Sequence, residues 1–321
     1  MNRQGINKVN IIDPHLHLFD LSQGDYSWLK PECPPFWSDK NVIAKSFSEQ
    51  NLTLSAPLAL AGFVHIEAGF DNEQPWREIA WLENTCHLPF RSIALLDITL
   101  SKALFLQQLK TLIAYKSVVG VRYILDDDAL NILTDKNSQN NLATLAANNL
   151  SFELQMPLHD TNAIDCLLAM LSAIPDLMLC INHAGSPLMD SVNYTLWQEN
   201  LKRIAAFDNV FIKCSGYEMV KRDHCINWRH KIISQCIEYF SVKRVMLASN
   251  FPLSLWQYSY QETWLSNVSL SKALSESLSK SEPKSESESE SGSKNPKVSL
   301  SHHDIEQLCY QNAYCFYKFK H

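Results

Sequence analysis

The sequence is poor in glycine, with eight residues in 321, and no Gly-rich turn follows its first apolar run, which leads into Asp13-Pro14-His15. That argues against a doubly wound dinucleotide-binding fold, whose first strand is followed by glycines that let the backbone approach a phosphate. Cysteines are present but unpaired in pattern: nine are scattered from Cys33 to Cys315, and none stands in C-x-x-C spacing. A zinc knuckle, a redox dithiol and a disulfide framework are therefore not expected, and free thiols in a reducing cytoplasm are. There is no excess of positive charge, since 28 Lys+Arg against 34 Asp+Glu leaves a net charge of -6. A general nucleic-acid binder needs clustered cations to neutralise phosphates, so that class is set aside, while a local basic pocket for an anionic small molecule is not. No apolar run approaches the ~20 residues of a membrane span. Residues 1–10 are polar and lack the apolar stretch of a signal peptide. The glycosylation-like Asn51-Leu52-Thr53 then carries little weight.

Enough apolar material is present for a sizeable core, at 46% of residues, and the length of 321 fits two domains or one large barrel. One segment stands apart. Residues 275–297 are almost entirely Ser, Glu and Lys, with Pro283 and Pro296 among them. With almost nothing to bury, this stretch is expected to be a disordered surface insertion in the last helical region. A regulatory phosphorylated loop is the less economical reading.

Elsewhere two patterns alternate. Short apolar, β-branched runs occur at residues 9–13, 62–66, 92–98, 118–123, 152–156, 178–182, 210–214 and 244–248. Between them, helical spacing links Trp76, Ile79, Ala80, Leu82 and Glu83, then Leu104, Leu106, Leu109, Leu112 and Ile113. Ile164, Leu167, Leu168 and Leu171 before Pro175, and Ile232, Ile233, Cys236 and Ile237, form two further sets. Near-continuous apolar strands alternating with helices indicate parallel βαβ units. Eight strands in about 250 residues predict a closed (β/α)8 barrel, a single domain over residues 9–321 with 275–297 as its insertion.

A barrel builds its site at the C-terminal ends of its strands. Every run here ends near a polar side chain: Asp13, His15 and His17; His65 and Glu67; Asp97; Arg122; Glu153 and Gln155; Asn182 and His183; Lys213 and Ser215; Ser249 and Asn250. Residues two apart in a strand face the same way, so Asp13, His15 and His17 are expected to converge. Two imidazoles aimed at one point can clamp a metal or donate to an oxyanion.

These residues bring a family into view. The chain resembles the amidohydrolase-related TIM-barrel hydrolases, in particular the branch of L-fuconolactonase-like and 2-pyrone-4,6-dicarboxylate lactonase-like proteins. The resemblance runs from about Ile11 to Phe319, through IIDPHLHLFD, YSWL, HIEAG, GVR, INHAGSP, IKCSGYEM, MLASNFPLS and QNAYCFYKF. It implies hydrolysis of a lactone, or a related cyclic ester or amide, by water in a barrel-top pocket. His15 and His17 match the first-strand pair, which binds a divalent metal in some members and substrate in others. His183 matches the sixth-strand histidine. Arg122 falls where a guanidinium can hold a carboxylate or carbonyl by a bidentate fork. An ion pair with Glu67 or Glu153 is the structural alternative for it.

The eighth-strand motif departs from the family, because Asn250 stands where many members carry the aspartate that takes a proton from water. A carboxamide is not a general base. His183 becomes the expected proton acceptor, since an ordinary imidazole titrates near 6.5, with Glu67 second and Asn250 left to orient water. The missing carboxylate also weakens a metal site. No cofactor is therefore expected, and a zinc or other divalent ion on His15, His17 and His183 is the alternative. The expected partner is a small-molecule substrate, anionic if Arg122 binds it, with no nucleic acid or membrane partner and a homo-oligomer left open. The competing functions are a decarboxylase of the same superfamily and a ligand-binding barrel that has lost its base.

Overall fold

The computed structural model describes residues 8–270 and 300–319, so the segment 275–297 lies outside the described residues. Eight strands form one parallel sheet in sequential order: β1 Val9–Leu16, β2 Leu58–Ile66, β3 Phe90–Leu95, β4 Val118–Ile124, β5 Ser151–Gln155, β6 Leu179–Ile181, β7 Val210–Cys214 and β8 Val245–Leu247. All eight predicted runs are strands, and the architecture is a (β/α)8 barrel. Helices α1 Trp76–Thr85, α2 Lys102–Leu112, α3 Ala129–Thr134, α4 Lys136–Ala147, α5 Thr161–Ala173, α6 Ser191–Ile204, α7 Tyr217–Val220, α8 Ile226–Phe240 and α9 Tyr260–Val268 follow the strands. Asp135, Asp160 and Asp190 cap α4, α5 and α6, each carboxylate accepting from a backbone N–H in the first turn. Ser259 and Glu262 cap α9 reciprocally.

The predicted face of α2 is wrong in detail. Leu104, Leu106 and Ile113 are 51%, 41% and 45% exposed, while Phe105, Leu109 and Leu112 are buried. Residues two apart on a helix point away from one another, so Leu104 and Leu106 could not both face the barrel. The aromatic Phe105, at i with Leu109 at i+4 and Leu112 at i+7, sets the face instead.

Two apolar layers result. The larger lies between strands and helices, and the smaller fills the barrel with Ile12, Val64, Ile66, Ile93, Cys180 and Met246. The C-terminal helices α10 His302–Glu306 and α11 Asn312–Phe316 bring Phe316, Tyr317 and Phe319 into that inner layer. They enter from the end where the strands begin: Asn312 Nδ2 donates to the carbonyls of Val242 and Val245, and Arg91 Nη2 to that of Lys318. The Tyr317 hydroxyl reaches the barrel centre and donates to Glu153 Oε1 at 2.6 Å.

The seam between β1 and β8 is closed at the opposite end. Asn250 N–H donates to the His15 carbonyl at 2.9 Å and His17 N–H to the Phe251 carbonyl at 2.7 Å. Closure and site therefore share residues.

Replacing Tyr317 with Phe keeps the plug's shape and leaves one oxygen of a fully buried carboxylate without its donor. An unfolding free energy lower by about 1–3 kcal/mol is expected, read from urea denaturation. An unchanged midpoint would mean that the hydroxyl does not anchor the plug.

Candidate active site

The end of β1 does not keep strict alternation. Its pairing with β2 shifts between Asp13 and Leu16. Asp13 is consequently spent on the seam, its Oδ1 accepting from the N–H groups of His15 and Ser249 at 3.2 Å each. Burial pushes its carboxyl up to about 6, against the hydrogen bonds from Ser249. His15 and His17 do converge, with ring centroids 5.2 Å apart, and His183 joins them at 4.5 Å from His15.

The three rings differ in how they are held. His17 Nδ1 lies 2.9 Å from the Ile66 carbonyl, which can only accept, so Nδ1 carries the proton and Nε2 the lone pair. His183 Nδ1 lies 3.1 Å from Ser215 Oγ, and the residue is half-buried. His15 is fully buried, and neither of its ring nitrogens has a partner. All three are held neutral. Burial, then Lys213 and neighbouring charges, put His15 well below its ordinary range, and burial with Arg122 does the same to His17. Burial, Arg122 and Lys213 push His183 down to about 3. The ring is thus a weaker base than an unperturbed imidazole, comparable to an ordinary aspartate.

The backbone beneath His183 is strained. His183, Ala184, Gly185 and Ser186 have φ of 54°, 52°, 68° and 53° in succession. A non-glycine residue in this left-handed region costs about 1–2 kcal/mol, and such runs persist where the surroundings hold a functional group in place. Trp197 Nε1, donating to the Ala184 carbonyl at 2.7 Å, is one such restraint.

Arg122, at the end of β4, is committed to its neighbours. Its Nε donates to Glu67 Oε1 at 2.7 Å, Nη2 to the Glu67 carbonyl at 2.8 Å and Nη1 to Gln155 at 3.0 Å. Three of its five N–H donors are used, leaving two for a substrate. Below the histidines Lys213 Nζ lies 2.6 Å from Glu153 Oε2, both side chains fully buried. Two strand-end residues do not join the site. His65 turns toward α1, with Nε2 3.1 Å from Glu78, and Asp97 folds back on the N–H and hydroxyl of Thr99.

Asn250 is fully buried with φ 57°. Its Nδ2 donates to Glu218 Oε1 at 2.5 Å, and its Oδ1 has no partner. Glu218, 4% exposed in α7, has its carboxyl pushed up to about 7 by burial, against the Asn250 hydrogen bond. Sequence reasoning missed Glu218. The only signal was its place five residues beyond Lys213 in IKCSGYEM, and nothing in one sequence says that a left-handed Gly216 turns it back toward β8.

The connection between β1 and β2 is too long for a simple turn and covers this end of the barrel. Trp28 Nε1 donates to the Ala68 carbonyl, and Trp256 Nε1 to that of Asp39. Arg222 donates to Asp39 Oδ2 at 2.8 Å, with its guanidinium 3.5 Å from the Trp256 ring centroid and 5.0 Å from that of Trp37. Three loops at the C-terminal ends of strands are thus tied to one lid.

The donor set fits a divalent cation poorly. His15 and His17 offer free nitrogens, but the eighth-strand residue is an amide turned to Glu218. The cations of Lys213 and Arg122 already act on the same rings. Among the described residues no group of three His, Cys, Asp or Glu side chains is placed to hold a metal.

Comparisons with known proteins agree with this architecture. The sequence profile of a family described as amidohydrolase matches residues 12–319. A protein of Sinorhizobium fredii, y4mH, described as uncharacterized, is 26% identical over 273 residues, 81% of this chain and 90% of its own. An amidohydrolase of Burkholderia multivorans, crystallised with bound zinc, superposes with a TM-score of 0.71 at 19% identity, covering 96% of this chain and 99% of its own. A candidate 2-pyrone-4,6-dicarboxylic acid hydrolase of Pseudomonas putida gives 0.66 at 15% identity, covering 98% and 99%.

The neutral histidines generate a pH dependence of stability. A group whose folded pKa is depressed adds stability above its unfolded value, and that stability is lost as pH falls through the folded one. His15, His17 and His183 should therefore destabilise the fold as pH falls below about 6.5, a loss that for His183 runs down to about 3. Asp13 and Glu218, raised to about 6 and about 7, act in the opposite sense: their contribution is present below about 4 and lost as pH rises through those values. Three histidines outweigh two carboxyls, so Tm should be lower at pH 5 than at pH 7.5. His183→Gln should flatten the dependence by up to about 1.4 kcal/mol per pH unit. An unchanged slope in that variant would show that His183 titrates normally.

Proposed function

The chain belongs to the amidohydrolase family, and from that premise we propose that it hydrolyses a small lactone, or a related cyclic ester or amide, at the lidded end of the barrel. The observation that carries the reading is the meeting of His15, His17 and His183 where Asn250 closes the β1–β8 seam. Water attacks the ring carbonyl carbon there, the ring C–O bond breaks, and a hydroxy acid leaves.

The roles follow from hydrogen-bonding capacity. The lone pair on His17 Nε2 accepts from the water or from a substrate hydroxyl, because Nδ1 is occupied by Ile66. His15 contacts substrate through its unpartnered nitrogens. The two free N–H groups of Arg122 hold a carboxylate or the carbonyl oxygen, where negative charge develops. Glu67 fixes that guanidinium in place. Asn250 Oδ1 accepts from the attacking water and so orients it, with Glu218 holding the other end of the amide. His183 takes the proton on Nε2, with Nδ1–H donating to Ser215, and returns it to the leaving oxygen. Negative charge forming on the substrate raises the basicity of the ring at the moment it is needed.

A ligand-binding barrel is the second reading, favoured by Asn250 and by the downward shift of His183. The two separate on purified protein assayed with D-galactono-1,4-lactone and dihydrocoumarin, with metal content measured in parallel. His183→Ala is expected to cost about 10²–10⁴-fold in rate, the usual worth of a general base. Asn250→Ala should cost about tenfold at most, the contribution of one orienting hydrogen bond. A native protein without activity that gains turnover as Asn250→Asp would establish the binding reading. Stoichiometric zinc whose removal abolishes turnover would overturn the metal-independent assignment of these roles.

A further inference from the structure

Behind Asn250 and Glu218, between α7, α8 and α9, lies a small cavity of about 20 Å³, room for one water-sized particle. Arg229 of α8 lines it and is 3% exposed. Its Nη2 donates to Asn267 Oδ1 at 2.5 Å, and its Nε has no partner. Among the described residues no carboxylate forms an ion pair with it. Glu218 acts on it through space, but burial pushes that carboxyl toward its neutral form, and a poorly compensated buried guanidinium is costly because water no longer solvates it.

The rest of the wall carries both donors and acceptors, since the unpartnered Gln257 Oε1 and His224 Nδ1 belong to it beside three hydroxyls. The hydroxyls of Tyr217, Ser254 and Thr263 line the same cavity, are buried, and have no partner. Three hydroxyls that can rotate to donate, with one fixed positive charge, make a poor cation site and a suitable one for an anion. The volume excludes anything larger than a monatomic ion or a water. Glu218 shares the wall, so a second negative charge on the ligand would be opposed.

We propose that this cavity is a binding site for a small monovalent anion of the size of chloride, held by Arg229 and the hydroxyls of Tyr217, Ser254 and Thr263. The site adjoins the histidine cluster through Ser215, whose hydroxyl lies 3.1 Å from His183 Nδ1, but its proposed ligand takes no part in the reaction proposed there. Its charge reaches the carboxylate that holds Asn250, and so bears on the orientation of that amide.

Crystals grown with sodium bromide and measured at the bromine edge should show an anomalous peak within hydrogen-bond distance of Arg229 Nε. In solution at fixed pH, sodium chloride should raise Tm above sodium gluconate of equal ionic strength. The rise should grow with the logarithm of chloride concentration above Kd, reaching about 5 °C when chloride is about 100-fold above it. Ser254→Ala should weaken chloride binding about tenfold, and Arg229→Gln should abolish the effect. If Arg229→Gln does not fold, Ser254→Ala combined with Thr263→Val carries the test. A refined water with no anomalous peak would overturn the proposal. So would equal Tm in the two salts, or a chloride effect that these variants leave unchanged.

Discussion

The ion pair between Lys213 and Glu153 at the centre of the barrel is the interaction on which both ends of the molecule depend. Each side chain is fully buried, and removing one partner of such a pair typically costs about 3–5 kcal/mol because the other is left uncompensated. Glu153 also accepts from Tyr317, so the C-terminal plug is anchored to the same carboxylate from below. From above, the ammonium of Lys213 acts on His15 and His183 and helps to keep both rings unprotonated. Core, plug and site are one electrostatic unit.

That unit surrounds the histidines with fixed positive charge from the protein itself. Arg122 and Lys213 already supply positive charge around three neutral rings, and Glu67 and Glu153 hold those cations in place. A developing oxyanion would enter a region arranged for negative charge, with little reorganisation needed at that moment. The carboxylate that β8 lacks is not absent from the neighbourhood. It stands one hydrogen bond away, in Glu218, behind an amide whose oxygen is buried without a partner.

Closure of the barrel and assembly of the site are also one event. The backbone of His15, His17 and Asn250 makes the hydrogen bonds that join β1 to the segment after β8. The lid is tied down by Arg222 against Asp39, Trp37 and Trp256, from loops that belong to the first, seventh and eighth strands. Local loosening at this end would therefore open the seam and the site together.

Much of this was legible in the order of residues. Runs such as 210–214, apolar but for Lys213, are so regularly separated by helical spacing that eight parallel strands follow from the pattern. The cluster of His15, His17 and His183 follows from the rule that barrels work at the C-terminal ends of their strands. What only the tertiary structure decided were matters of direction and environment. Asp13 went to the seam because a register shift breaks the alternation of β1, and His65 went to Glu78 because its ring faces α1. Glu218 reached Asn250 through a left-handed turn at Gly216, and His183 lost its ordinary basicity to burial and two distant-in-sequence cations. Sequence spacing states which residues a strand offers. The charge and partner each one meets come from other strands, and those distances exist only once the barrel has closed.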